Sequence, residues 1–323
     1  MALQKFDTVL AEAFEEYVYG ESPEELYEPI RYIMSLGGKR IRPLLTLVTA
    51  NLFSENWESA LSPAMAVEVF HNFTLMHDDI MDQAPLRRGK ATVHSKWDTN
   101  RAILSGDVML VAAYELLGGI DEKHLKTAMK RFSRTAAEVC EGQQLDMLFA
   151  EKAEVSKEDY LEMIRLKTSV LVGFAMELGG IAAGADEDTC RQLYTIGENL
   201  GLGFQQTDDI LDVYADPKVF GKQVGGDIIE NKKTWLLLRA VEKSAGTPFE
   251  KDLLGWLFVT DTEAKVKGVR SIYDALNIRT EATELAEAYF RKAESGLAEL
   301  NVPRPGQKEY LQTIIQQIRT RNK

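Results

Sequence analysis

Helix punctuation recurs from one end of the chain to the other, and it limits the fold more than any other feature. In SPEELYEPIRYIMSLGG, residues 22–38, Ser22 reads as an N-cap, Pro23 as the first helical residue and Glu25 as the partner in a capping box. Gly37 and Gly38 read as the stop. SPAMAVEVFHNFTLMHDDIMD repeats the start at Ser62 and Pro63. SKEDYLEMIRLKTSVLVGFAMELGG and DEDTCRQLYTIGENLGLGFQQTDDILD read as two further long helices, and NKKTWLLLRAVEKS and RTEATELAEAYFRKAESGLAEL as amphipathic ones. Strand alternation is nearly absent. Several of these segments lack a strongly polar face, the pattern of a bundle with a buried central layer. With no linker or low-complexity tract in view, the expectation is a single all-α domain over residues 1–323.

Composition removes several functions. The chain carries 38 basic and 50 acidic side chains, a formal charge of −12, which argues against a nucleic-acid partner. Cys140 and Cys190 share no metal-like spacing and make no disulfide scaffold, so a reducing compartment is expected. The start, MALQKFDTVLAEAFEEYV, turns acidic too early for a signal peptide. SVLVGFAM, among the longest apolar runs, is far too short for a bilayer span. The expected protein is cytoplasmic, with no stable membrane insertion.

Two acidic clusters stand out, LMHDDIMDQAPLRRGK at residues 75–90 and QQTDDILD at residues 205–212. On a helix, residues four apart share a face, so Asp78 projects with Asp82 and Asp208 with Asp212. Each pair repels itself unless a cation intervenes. Both clusters follow apolar runs, FTLM and LGLGF, where unpartnered carboxylates are costly. Hard oxygen ligands suit Mg²⁺, which is bound by one or two carboxylates plus substrate phosphates. Two such sites facing one another across a bundle would clamp a diphosphate. Arg87 and Arg88 then offer guanidinium forks to its oxygens.

Other basic stretches fit the same chemistry. GGKRIRP places Lys39, Arg40 and Arg42 at a Gly-rich helix end, RLKTS sets Lys167 and Thr168 within an apolar helix, and FGKQVGGDIIENKKTW holds Lys222, Asp227, Lys232 and Lys233. The ordered set GKRIRP, HDDIMD with RRGK, KTS, FQQTDDILD, GKQVGGD and KKT resembles the trans-isoprenyl diphosphate synthases, or polyprenyl synthetases, of short-chain type. The likeness runs from about Gly37 to Lys233.

That resemblance implies an all-α bundle around a deep central cavity, usually a homodimer. It implies Mg²⁺-dependent, head-to-tail condensation of an allylic diphosphate with isopentenyl diphosphate, with three Mg²⁺ ions bound alongside substrate. Asp78, Asp82 and Asp208 match the principal metal ligands, and Asp79, Asp209 and Asp212 match their supports. Arg87, Lys167, Lys222 and Lys232 match the residues that hold the allylic diphosphate. Lys39, Arg42, His71, Arg88 and the aromatic Phe204 match the isopentenyl diphosphate site, with His71 standing where some members carry Gln. Thr168 and Gln205 match residues beside the developing cation. In the family the released pyrophosphate takes the final proton, so no side-chain base is expected.

The growing product should run back along the helix that carries Asp78. Phe73 lies about 7.5 Å before that residue along the axis and Phe70 roughly 12 Å before it. The family's pocket floor corresponds to Phe73 and Thr74. One aromatic with a Thr points to an intermediate stop, geranylgeranyl diphosphate (C20), with farnesyl (C15) and C25 as alternatives. Core packing by Phe73, with the floor elsewhere, is the competing reading. Terpene cyclases share the first acidic motif, but DDILD together with GKRIRP argues against cyclisation. Two further functions compete. His71, His77 and Asp78 loosely match a His/Asp metal phosphohydrolase, which leaves the second cluster unexplained. A non-catalytic partner subunit tends to lose acidic clusters, and this chain keeps both.

Overall fold

A computed structural model describes residues 3–215 and 224–320. Helix accounts for 78% of the described residues, in line with the all-α expectation. Helices α1 (Gln4–Glu16), α2 (Glu24–Ser35) and α3 (Ile41–Ala50) lead through a 3₁₀ turn (Trp57–Ala60) into α4 (Leu61–Met81). A hairpin, β1 (Leu86–Arg87) with β2 (Lys90–Ala91), follows. Next come α5 (Val93–Lys96), α6 (Thr99–Leu117), α7 (Glu122–Glu151) and α8 (Lys157–Ile164). A π-helical turn (Arg165–Ser169) joins α8 to α9 (Val170–Ala182), and α10 (Glu187–Tyr214) follows. The remaining helices are α11 (Gly226–Ile229), α12 (Trp235–Ser244), α13 (Pro248–Trp256), α14 (Thr262–Ala275), α15 (Ile278–Glu299) and α16 (Lys308–Arg319). Among the described residues no helix is long and apolar enough to cross a membrane.

The chain forms two compact units. The first comprises Met1–Ala136, Leu171–Gly197 and Gly296–Ile314; the second comprises Ala137–Val170, Glu198–Ser295 and Ile315–Lys323. No composition shift marks these boundaries, because they fall inside helices.

In the first unit α4 packs on α3 and α6. Its residues Ala64, Val67, Val69 and Phe70 are fully buried, which explains why its apolar residues run round the helix instead of forming a stripe. Thr46 Oγ1 donates to Ala175 O at 2.8 Å, and a Cβ on Gly179 would lie 2.3 Å from Thr46 O, so α3 and α9 pack backbone to backbone. The core of the second unit gathers Tyr160, Met163, Leu202, Ile210, Leu236 and Tyr273.

Two expected caps are corrected. Helix α2 starts at Glu24 with Pro23, in extended backbone, as its N-cap and no side-chain cap bond, so Ser22 lies outside the cap position. At α4 the helix has already begun at Leu61, and the Ser62 hydroxyl turns aside to donate to Leu116 O at 2.6 Å. The complete capping box is instead Ser156 with Asp159, at the start of α8. Gly37 does close α2, at φ 71°. The segment from Ser156 to Gly180, expected as one regular helix, is broken by the π turn.

Candidate active site

Each unit ends a long helix in carboxylates. Asp78, Asp79 and Asp82 occupy the last turn and C-cap of α4, and Asp208, Asp209 and Asp212 the last turns of α10; neither helix has a basic residue in its last turn. A helix C-terminus carries the negative end of the macrodipole, so acids are placed there against their own electrostatics. A cation is what relieves such an arrangement.

In the first unit that relief begins with Arg87. Arg88 at φ 53° and Gly89 at φ 74° form the tip of the hairpin, a pair of left-handed residues as in a type I′ turn. The hairpin folds Arg87 back onto α4, where Nε reaches both Asp79 oxygens at 2.9 and 2.8 Å and a terminal nitrogen lies 2.7 Å from Asp79 and 3.8 Å from Asp78. Asp79 is buried, Asp78 partly exposed and Asp82 exposed. Asp79 therefore faces Arg87, while Asp78 and Asp82 border solvent.

Beside them lies a cationic group. A Cβ on Gly38 would sit 2.8 Å from the Arg88 guanidinium, so a glycine is required for Arg88 to lie over the GGKR turn. Arg42 donates to His71 Nε2 at 3.1 Å. A guanidinium has no acceptor, so Nε2 is the acceptor and the proton of neutral His71 sits on Nδ1. Burial, then Arg42, Arg88 and Arg87, push the His71 pKa well below its ordinary value and keep it neutral at pH 7. The expected donation to phosphate thus needs Nδ1–H, or a turn of Arg42 that frees the ring. Lys39 is exposed at the same turn. Phe204 belongs to the second unit, unlike Lys39, Arg42, His71 and Arg88. His77 packs edge-on against Phe73, with ring centroids 4.7 Å apart, and its Nε2 lies 3.2 Å from Ile103 O.

Farther back on α4, Phe70 is fully buried and Phe73 is 8% exposed. Their rings lie 5.6 Å apart, and Phe70 meets Phe132 edge-on at 5.2 Å. The Thr74 hydroxyl bonds His71 O at 2.8 Å.

The second unit holds a cavity of about 240 Å³ lined by Asp146, Lys167, Thr168, Gln205, Asp208 and Lys232, among others. Asp146 Oδ2 accepts from Lys167 Nζ at 2.7 Å, and Lys232 Nζ lies 3.8 Å away. Burial works to raise its pKa, but Lys232 and Lys167 hold the carboxyl below the usual range. Opposite behaviour is seen at the other acids. Burial, reinforced by neighbouring carboxylates, raises Asp212, raises Asp209 well above its usual value and pushes Asp227 up to about 7. The α11 turn wraps Asp212: Asp227 N–H donates to its Oδ2 at 2.9 Å. Lys233 serves structure, donating to Phe149 O at 2.6 Å. Lys222 lies outside the described residues.

The π turn sets Lys167 and Thr168. It widens the helix by one residue, a feature common at functional sites. A Cβ on Gly142 of α7 would lie 2.2 Å from Lys167 N, and one on Gly201 of α10 would lie 2.6 Å from Ser169 Cα. One helical turn beyond each glycine comes a partner of the turn: Asp146 for Lys167, and Gln205, whose Oε1 accepts from Thr168 Oγ1 at 3.2 Å.

Three site residues escaped the sequence reading. Asp146 and Tyr160 line the cavity, and Asp227 was seen only as part of a basic loop. The only sequence signal for Asp146 was its place one turn after Gly142.

Among the described residues no group of three or more His, Cys, Asp or Glu side chains converges as a preformed metal cage. Paired aspartates at helix C-termini, flanked by Asp79, Asp209 and other acids that burial raises and by lysines and arginines, fit Mg²⁺ that takes its remaining ligands from water and phosphate.

Comparison with known proteins places these features in a family. Residues 23–276 match the polyprenyl synthetase family. A geranylgeranyl diphosphate synthase of Methanosarcina mazei is 40% identical over 257 residues, 79% of each chain. A geranylfarnesyl diphosphate synthase of Natronomonas pharaonis is 34% identical, covering 84% of this chain and 83% of its own. A crystal structure of a geranylgeranyl pyrophosphate synthase superposes with a TM-score of 0.94 at 44% identity, covering 99% of both chains. The family is generally Mg²⁺-dependent. The chain belongs to the polyprenyl synthetase family and is a trans-prenyltransferase.

Proposed function

We propose that the chain condenses an allylic diphosphate with isopentenyl diphosphate to geranylgeranyl diphosphate, with both acidic clusters and both units serving one catalytic domain. The observation that carries the product length is Phe73, buried one turn and a residue before Asp78, with Phe70 buried behind it. This supports the reading of Phe73 and Thr74 as the floor of the product pocket.

Lys167 and Lys232, aimed by Asp146, and Arg87, aimed by Asp79, hold the allylic diphosphate, together with Lys222. Lys39, Arg42, His71 and Arg88 hold the diphosphate of isopentenyl diphosphate, with Phe204 beside its carbon chain. Asp78, Asp82 and Asp208, supported by Asp79, Asp209 and Asp212, would hold Mg²⁺, three ions being proposed, and the metal would supply positive charge against the leaving pyrophosphate. When the allylic C–O bond breaks, its electron pair leaves with pyrophosphate. The oxygens of Thr168 and Gln205 face the cation left behind. The alkene of isopentenyl diphosphate forms the new C–C bond, and the proton it sheds goes to a pyrophosphate oxygen, so no side-chain base is needed.

The enzyme is further proposed to act in the cytoplasm as a homodimer. Its two cysteines are free thiols, and Ile103, Leu104 and Val111 leave an exposed apolar stripe on α6 for a second copy.

Incubation with isopentenyl diphosphate, Mg²⁺ and each allylic primer in turn tests this reading. The expected product is C20, and Phe73→Ala lengthens it. A wild-type product that stops at C15 or runs to C25 overturns the assigned length. Unchanged chain length in the Phe73→Ala variant moves the floor off that residue.

A further inference from the structure

Asp209, in the second cavity, is held from within the protein. The Tyr160 hydroxyl donates to Oδ2, and Gln205 Nε2 donates to Oδ1 at 3.0 Å. Tyr160 is 2% exposed and Asp209 is 4% exposed. Both oxygens of Asp209 are thus engaged by side chains of its own unit.

The arrangement fixes an amide. A glutamine side chain has two faces of opposite polarity and small preference between them in isolation. Gln205 turns its nitrogen toward Asp209 Oδ1, which leaves Oε1 to accept from Thr168 Oγ1 at 3.2 Å. The Thr168 proton is then committed to Gln205, and the remaining lone pairs of both oxygens are left for the cavity that the two residues line. Order passes along one line of donors: Tyr160 to Asp209, Gln205 to Asp209, Thr168 to Gln205.

We infer that Tyr160 is a positioning residue: through Asp209 it locks the Gln205 amide, and with it the Thr168 hydroxyl, so that oxygen rather than hydrogen faces the reacting carbon. Without Tyr160, one lone-pair direction of a buried carboxylate loses its donor, and Asp209 can swing to recover one. Gln205 then follows it or flips. The inference rests on the proposed roles of Thr168 and Gln205, and its test separates the two.

The variant is Tyr160→Phe, which keeps the ring in its core cluster. The first measurement uses no catalysis: the side-chain amide ¹⁵N–¹H signals of Gln205, assigned by their loss in Gln205→Leu. They are expected to shift or broaden in Tyr160→Phe, and unchanged signals overturn the inference. The second is steady-state kinetics with isopentenyl diphosphate and an allylic primer. A fall in kcat of about tenfold is expected, the worth of one hydrogen bond to a charged group. KM for both diphosphates and the Mg²⁺ concentration for half-maximal rate should move less than about twofold. Comparable changes in KM or Mg²⁺ dependence overturn it, since they mark disturbed binding. Shifted amide signals in a chain that performs no condensation would uphold the positioning network and sink the function proposed above.

Discussion

The two acidic clusters have nearly the same letters and differ in the cation that answers them, although burial raises Asp79 in the first as it raises Asp209 in the second. Asp79 in the first is answered by a guanidinium on the next hairpin, and Asp82 stands in solvent. In the second, Asp209, Asp212 and Asp227 are crowded out of water, and burial raises all three. The cations of that cavity, Lys167 and Lys232, pair with Asp146, and Lys232 offsets only part of what burial costs the three acids. A resident arginine bonded to the buried acid offsets much of the like charge before substrate arrives. A cluster in which several buried acids share one lysine gains more from a bound divalent ion.

The comparison can be broken by removing one carboxylate from each side. Asp208→Ala and Asp78→Ala should each lower kcat by about 10³-fold or more, as loss of charge stabilisation does at reacting phosphates. In Mg²⁺ titrations, Asp208→Ala should shift the half-maximal concentration further than Asp78→Ala. Equal shifts would mean that the difference described above has no bearing on metal affinity.

A smaller effect is expected at Asp146. Asp146→Asn releases two lysines from their buried partner and should cut kcat/KM for the allylic diphosphate by roughly 10- to 100-fold, mostly through KM. An effect on isopentenyl diphosphate alone would show that the lysines serve the other substrate.

The subtlest test is one of stability against pH. The raised pKa of Asp227 means that the folded chain binds this proton more tightly than the unfolded one. Its contribution is therefore fully present below the unfolded value of 3.8 and is lost as pH rises through about 7. In metal-free protein, Asp227→Asn should raise the melting temperature by a few degrees at pH 8, a gain that shrinks toward pH 5. A gain that is the same at both pH values would remove Asp227 from the strained set.

Much of this was legible in the sequence, and the losses have physical causes. Asp78 with Asp82 and Asp208 with Asp212 are readable because both partners sit four apart on one helix. Asp146 has its partners on Lys167 and Lys232, distant in the chain, so it reads as one more acid on an amphipathic face. Tyr160 reads as core, which it also is. Helices such as α10 follow from apolar period and stop signals, whereas the Ser22 and Ser62 caps fail because nearby geometry sent each hydroxyl elsewhere or left it outside the helix. The two compact units cross intact helices and leave no punctuation to find.

The π turn carries an implication about chain length rather than chain letters. One surplus residue between Arg165 and Ser169 rotates everything after it by about 100° relative to everything before it. Deleting a single residue there would restore an ordinary spiral and turn Lys167 and Thr168 off their partners, even with every named side chain retained. In this stretch the count of residues is as much a part of the catalyst as their identity.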